Sequence, residues 1–158
     1  MRHIAVALVA FAAVAGASST SRAAAQSAAF TKLADEFWDA QLAFDPSAAT
    51  EAGIHRYDDR LQDLSQPSVR AWVVKLHDFD KRLAAIDTRA LTPAEAIDLA
   101  TVRQQIQSSL VFFTVTRGWR RRPRVYMNEA INSIYLVVKR DFAPAKDRLA
   151  SVSAREEQ

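Results

Sequence analysis

Apolar residues recur three or four positions apart over most of the chain, a spacing that predicts amphipathic helices. The first stripe consists of Phe30, Leu33, Ala34, Phe37, Ala40 and Phe44. Asp45-Pro46 should end this helix, because the residue before a proline disfavours the helical backbone. A shorter helical turn is predicted for residues 47–52. Residues 53–66 have no sustained period, and we expect them to form an ordered loop.

Two longer stripes predict an antiparallel pair of helices over residues 67–87 and 92–117. Ser65 offers an N-cap for the first helix. Thr92-Pro93-Ala94-Glu95 forms a capping box that opens the second. Only a few residues join the two, which leaves room for nothing but an antiparallel arrangement. The predicted seam consists of Trp72, Leu76, Phe79, Leu83, Leu99, Ile106, Leu110 and Phe113.

The last third of the chain carries a weaker pattern. Residues 119–126 are predicted to form a loop, and residues 135–138 taken alone are typical of a strand. A longer window follows a helical period at Met127, Ile131, Ile134, Tyr135 and Val138. We therefore predict a helix over residues 127–138, then a final helix that begins near Pro144 and fades over residues 155–158. These elements predict an all-α fold, an antiparallel helix bundle.

Composition supports a helical single domain. The chain has 158 residues, which lies within the usual size of one domain. Three glycines and five prolines are few for this length, and this favours helices over a turn-rich sheet protein. There is no cysteine, which excludes disulfides, thiolate metal ligands and a cysteine nucleophile.

The N-terminal residues have the pattern of a secretory signal. Arg2 and His3 give a basic start, and residues 4–15 form an apolar run. Small residues follow and end in Ala23-Ala24-Ala25, an Ala-x-Ala cleavage site. A membrane anchor is the alternative, but the run is shorter than the ~20 residues that a spanning helix needs.

We expect residues 1–25 to be a signal peptide that is cleaved after Ala25, or alternatively after Ala17. Residues 26–158 would then form the mature helical domain, in the periplasm or outside the cell. No stable membrane span is expected after cleavage.

Removal of the signal peptide changes the charge balance. Arg2 and Arg22 leave with it, so that 19 basic residues face 18 acidic ones and the net charge falls from +3 to +1. A near-neutral exported protein is a poor candidate for nucleic-acid binding, and we expect no such partner. Five arginines surround Trp119 and could bind an anionic polymer: Arg117, Arg120, Arg121, Arg122 and Arg124. The low net charge favours the alternative, a solvated loop with Trp119 turned into the core.

No self-sufficient catalytic or metal-binding motif is recognisable. His55 and His77 are the histidines left after signal removal, and neither belongs to a His-Glu-x-x-His motif. We therefore assign no catalytic residue, no metal ligand and no cofactor to this chain. His77 is expected on the exposed flank of the helix over residues 67–87.

One loop concentrates polar chemistry in six consecutive residues. It reads His55, Arg56, Tyr57, Asp58, Asp59 and Arg60. In one interpretation the cluster lines a cleft, where Tyr57 or His55 orients a substrate or donates a proton. In the other, Arg–Asp pairs and an Asp cap merely hold the loop together.

Three segments together resemble a known bacterial family. They are residues 37–50, residues 134–144 with Trp119, Pro123 and Tyr126 before them, and the string Gly53-Ile54-His55-Arg56-Tyr57-Asp58-Asp59-Arg60-Leu61. Across residues 30–150 the chain is similar to the N-terminal part of the family called domain of unknown function 885. The resemblance implies an exported, mostly helical protein similar to metallopeptidases of the zincin type.

The resemblance also limits what this chain can contribute. In the family the zinc-binding His-Glu-x-x-His-like helix lies far downstream, so zinc is implied only for the full-length protein and no ligand transfers to this chain. A helical N-terminal layer beside a catalytic cleft is implied, with residues 53–61 near the cleft and a peptide as substrate.

Two hypotheses follow. In the first, residues 26–158 are an incomplete N-terminal portion of a peptidase-like hydrolase, inactive without its C-terminal half. In the second, they form a self-contained helical module that binds a periplasmic partner.

Overall fold

The computed structural model describes residues 12–158, and these residues form α-helices joined by turns and loops, with no strand among them. The helices are α1 (Ala12–Phe44), α2 (Pro46–Glu51), α3 (Gln66–Ala84), α4 (Pro93–Leu110), α5 (Gly118–Arg121), α6 (Pro123–Lys139) and α7 (Ala145–Glu156). The all-α prediction is confirmed. The strand alternative for residues 135–138 is wrong, since they lie inside α6.

Local sequence signals define several of these helix starts. The Asp45 carboxylate accepts a hydrogen bond from the Ala48 amide at 3.0 Å and caps α2. Ser65 caps α3 as expected. At α4 both bonds of the predicted capping box are present: the Glu95 amide donates to the Thr92 hydroxyl at 3.3 Å, and the Thr92 amide donates to the Glu95 carboxylate at 2.8 Å.

Helices α1, α3 and α4 enclose the main hydrophobic core. The predicted seam of α3 and α4 is confirmed: seven of its eight side chains are buried, and Phe113 packs against them partly buried. Helix α1 adds Phe30, Leu33 and Phe37 to the same cluster. Phe44, at the end of α1, stacks on Trp72 with ring centroids 4.6 Å apart. The apolar stripes read from the sequence therefore face one another.

A second, smaller cluster lies beside the first. It contains Leu64, Val69 and Trp119, and the Trp119 indole donates to the Phe113 carbonyl at 3.1 Å. Between α4 and α5 the chain makes a π-helical turn, Val111–Val115. A Cβ at Gly118 would clash with the Phe112 ring, so a larger residue there would require that ring to move.

Helices α2, α6 and α7 form a second layer, in which α6 packs on both α2 and α7. Ala49 of α2 and Ser133 and Val137 of α6 are fully buried there. The loop from α2 to α3, residues 52–65, borders this layer and contains a 3₁₀ turn, His55–Tyr57. The polar cluster singled out from the sequence is therefore held at the edge of the second layer.

Two element boundaries differ from expectation. Helix α1 extends well upstream of Phe30 and passes through the predicted cleavage site at Ala25, while residues 1–11 of the predicted signal lie outside the described residues. The prediction of a loop over residues 119–126 is wrong, because α5 and the start of α6 occupy most of it. The last helix ends at Glu156, within residues 155–158, where it was expected to fade. Within residues 12–158, no helix is both long and apolar enough to cross a membrane.

Candidate functional site

Four polar side chains are buried together where the second layer meets the loop of residues 52–65. They are Thr50 on α2, Asp58 in the loop, Ser133 on α6 and Arg155 on α7. Each is exposed by 5% or less, although buried polar groups are stable only when their hydrogen bonds are satisfied. The contacts among them explain how this burial is tolerated.

Arg155 is the centre of the buried cluster. Its Nε donates to the Asp58 carbonyl at 2.6 Å, one terminal nitrogen donates to the Ser133 carbonyl at 2.6 Å, and the other donates to the Thr50 hydroxyl at 2.9 Å. One planar guanidinium thus joins α2, the loop, α6 and α7, because its donors point in fixed and different directions.

The charge of Arg155 is balanced by its surroundings. Burial lowers the pKa of the Arg155 guanidinium, and the nearby carboxylates of Asp58, Glu129 and Asp59 oppose that decrease. An arginine starts from a pKa so high that it stays protonated in proteins. The cluster therefore contains a buried cation that is stabilised by carbonyls and by nearby negative charge.

Asp58 connects the buried cation to the surface histidine. One carboxylate oxygen accepts from the Thr50 hydroxyl at 2.6 Å, and the other lies 2.8 Å from Nδ1 of His55. An ionised carboxylate only accepts hydrogen bonds, so Nδ1 is the donor, and in the neutral ring Nε2 is the nitrogen that can accept. The His55 ring also stacks on Phe142, with centroids 3.6 Å apart, which fixes its plane.

The pair of Asp58 and His55 can support proton transfer at Nε2 of His55. The His55 side chain keeps 31% of its surface accessible, and Nε2 makes no hydrogen bond to any other residue in the range 12–158. A histidine oriented by a carboxylate is a common arrangement for a general acid or base. The arrangement orients a proton acceptor; the described residues around it do not include a hydrogen-bonded nucleophile.

The remaining residues of the polar loop are more exposed. Arg56 pairs with Asp39 of α1 at 2.5 Å, and Asp59 lies 3.7 Å from Arg60. Both guanidiniums lie over the Tyr57 ring, at 4.9 Å for Arg56 and 5.7 Å for Arg60. The loop is therefore divided: Asp58 is turned inward, His55 and Tyr57 are half-buried, and the other three residues are exposed.

A cleft of 740 Å³ begins directly after this loop. It lies between residues 61–65 and α6, and its lining consists of Leu61, Gln62, Asp63, Leu64, Ser65, Tyr126, Glu129, Ala130 and Gln158. The Glu129 carboxylate accepts from the Ser47 hydroxyl at 2.7 Å and from the Gln62 amide at 3.2 Å, which holds one wall of the cleft against α2.

The described residues do not fit a zinc ion. Between residues 12 and 158, no three His, Cys, Asp or Glu side chains are grouped so that they could hold a metal. His55 directs Nδ1 to Asp58, and His77 lies exposed on α3.

The arginine-rich segment lies elsewhere. Trp119 is buried, as the solvated-loop interpretation expected, and the Arg120 guanidinium lies over its ring at 5.1 Å. Arg117, Arg121 and Arg122 are exposed. These residues are on α5 and its flanks rather than beside the buried cluster.

Sequence reasoning identified His55 and Asp58 but missed the partners that orient them. Thr50, Ser133 and Arg155 were not singled out, because a threonine, a serine and an arginine near a Glu-Glu pair are ordinary surface residues in a helical pattern. The one usable signal was the helical period of α7, which places Arg155 three positions after Val152, on the face that packs inward.

Comparison with known proteins finds a family match that includes the candidate site. A family model described as a bacterial protein of unknown function (DUF885) matches residues 46–158, a span that contains the whole buried cluster and the cleft. Neither the curated proteins nor the solved structures contain a match. Because the family model covers more than two thirds of the 158 residues, the chain belongs to the DUF885 family of bacterial proteins of unknown function.

Proposed function

We propose that this chain is the helical N-terminal part of an exported, peptidase-like hydrolase and forms one wall of its substrate cleft. Family membership over residues 46–158 supports the proposal. The similarity to zincin-type metallopeptidases is what the sequence resemblance implies, and it is part of the proposal. Any catalytic zinc would be held by sequence outside this chain. The mature chain by itself is then inactive.

One observation carries the proposal: α6 has an apolar face that the described residues leave open. Met127, Ile131, Tyr135 and Val138 lie three or four positions apart, and each is more than half exposed. A continuous apolar face on a soluble protein usually marks a contact surface. Its proposed occupant is the remaining, C-terminal part of the same protein.

His55 has a separate role in this proposal. Asp58 orients its ring, and Arg155 and Thr50 fix Asp58, so that Nε2 is presented at a constant position. At the edge of a substrate cleft this nitrogen would accept or return a proton, or orient a substrate group.

The test of the contact surface is a footprinting experiment on two matched isoleucines. Ile131 on α6 is 64% exposed and Ile97 on α4 is 67% exposed, so both should react equally with hydroxyl radicals in this chain. In the protein encoded by the reading frame continued past codon 158, Ile131 should become protected while Ile97 stays reactive.

Three results would contradict the proposal. They are equal labelling of both isoleucines in the longer protein, a reading frame that ends at codon 158, and an Ile131 that is already protected in this chain. In the last two cases the self-contained helical module would replace the hydrolase fragment as the preferred function.

A further inference from the structure

The side-chain amide of Gln158 binds the main chain of the loop in the way that a peptide group would. Its Oε1 accepts from the Leu61 amide at 3.2 Å, and its Nε2 donates to the Asp59 carbonyl at 2.8 Å. Both bonds come from one planar amide. The Asp59 carbonyl and the Leu61 amide must therefore point the same way.

That pair of groups is what one edge of a β-strand offers. In an extended chain the carbonyl of one residue and the amide of the second residue after it lie on the same edge, where a neighbouring strand pairs with them. Proteins use such edges to bind extended peptides, and main-chain hydrogen bonds supply the affinity. Gln158 acts here as a single-residue substitute for a neighbouring strand.

The chain beyond this pair can extend the same edge. Residues 60–64 are neither helical nor paired in a sheet. The next alternate pair is the Leu61 carbonyl and the Asp63 amide, and within residues 12–158 neither makes a hydrogen bond. The 740 Å³ cleft is lined by residues 61–65 and by Gln158, whose amide occupies this edge, and Tyr126 and Ala130 of α6 belong to the same lining. There is space for a short peptide beside the edge.

The negative charge of the cleft lining favours a positively charged peptide. Asp63 and Glu129 are the ionisable acids in the lining, which contains no lysine or arginine. Hydrogen bonds from Ser65 hold the pKa of the Asp63 carboxyl below its usual value, so that it is charged at neutral pH. A peptide with positive charge would complement these acids.

We infer that residues 59–63 are a docking edge for an extended, positively charged peptide, which displaces the Gln158 amide and pairs with the main chain in its place. This inference does not depend on hydrolysis. Peptide binding without cleavage would support it and would leave the hydrolase proposal to its own test.

The experiment uses the capped peptide acetyl-Lys-Val-Thr-Val-Thr-Lys-amide and two N-methylated versions of it. One version is methylated at both valine nitrogens and the other at both threonine nitrogens, which blocks opposite edges of the extended peptide. Binding is measured by titration calorimetry, and the contacted amides are identified by NMR. Edge pairing predicts that one methylated peptide loses binding, that the other keeps it, and that the Leu61 and Asp63 amide signals shift.

A pair of glutamine variants gives the second arm. Gln158→Ala removes the competing amide and should tighten peptide binding by roughly threefold to tenfold, the value of about one net hydrogen bond. Gln107→Ala, an exposed glutamine on α4, should leave the affinity unchanged. The inference is overturned if the unmodified peptide does not bind, if both methylated peptides behave alike, or if Gln158→Ala binds no more tightly than Gln107→Ala. The methylated peptides act on the unmodified protein, so this arm stands even if Gln158→Ala folds poorly.

Discussion

Replacing Arg155 by methionine should destabilise the fold more than any surface change. Methionine keeps most of the apolar stem but removes the donors to the Asp58 and Ser133 carbonyls and to the Thr50 hydroxyl. A hydrogen bond from a charged donor contributes about 1.5–3 kcal/mol, and such contributions do not add fully. Removing one member of a buried charged network costs about 3–5 kcal/mol, and we expect Arg155→Met to fall in that range.

The assay is urea unfolding followed by far-ultraviolet circular dichroism, because helix loss is the dominant signal in an all-α protein. Arg121→Met at the exposed end of α5 is the matched control, and it should change the free energy of unfolding by no more than about 0.5 kcal/mol. Arg155→Lys should be intermediate, since an ammonium keeps the charge but cannot reach three acceptors at fixed angles.

Two outcomes would refute this reasoning. If Arg155→Met costs less than about 1 kcal/mol, comparable to the control, the three contacts do not stabilise the layer. If Arg155→Lys is as stable as the original protein, the charge matters and the fork geometry does not.

Three further predictions are independent of Arg155. Leu83→Ala should lower the free energy of unfolding by about 2–5 kcal/mol because Leu83 is fully buried in the seam, while Val74→Ala on the exposed side of α3 should lower it by about 0.5 kcal/mol or less. Equal losses in urea unfolding would exclude the pairing of α3 with α4. Hydrogen bonds from Ser27 and Thr92 lower the pKa of Glu95 below its ordinary value of 4.5, so its contribution to the free energy of unfolding is complete above pH 4.5 and is lost as the pH falls. Glu95→Gln should flatten this loss of stability at acid pH, and an unchanged dependence of stability on pH would contradict the assignment. Edman sequencing of the exported product should begin at Gln26, whereas a membrane-bound product with an intact N-terminus would exclude cleavage.

The core pairing could be predicted because its signals are local. The apolar period of α3 and α4 and the capping box at Thr92 require only neighbouring residues, so Leu76, Leu83 and Ile106 were identified correctly. The helix at Gly118–Arg121 was missed for the opposite reason. Consecutive arginines and Pro123 are typical of a loop, whereas Trp119 is buried in a cluster with Val69, a contact distant in the chain that gives no local signal.

The candidate site could be predicted only in part. Six consecutive polar residues, 55–60, identified His55 and Asp58 as candidates. The sequence does not indicate whether the carboxylate of Asp58 or that of Asp59 is buried. That choice depends on Arg155, which lies 97 residues away from Asp58 in the chain. Contacts at such separation have no local signal, and for the same reason the main-chain binding of Gln158 was not foreseen.

The most direct test of the proposed function is the rate at which a fluorogenic peptide mixture is hydrolysed. We predict that the protein encoded by the reading frame continued past codon 158 hydrolyses it, that the present chain does not, and that His55→Ala lowers kcat/KM of the longer protein while His77→Ala leaves it unchanged. A longer protein without peptide hydrolysis, or a present chain that hydrolyses equally fast alone, would contradict the account.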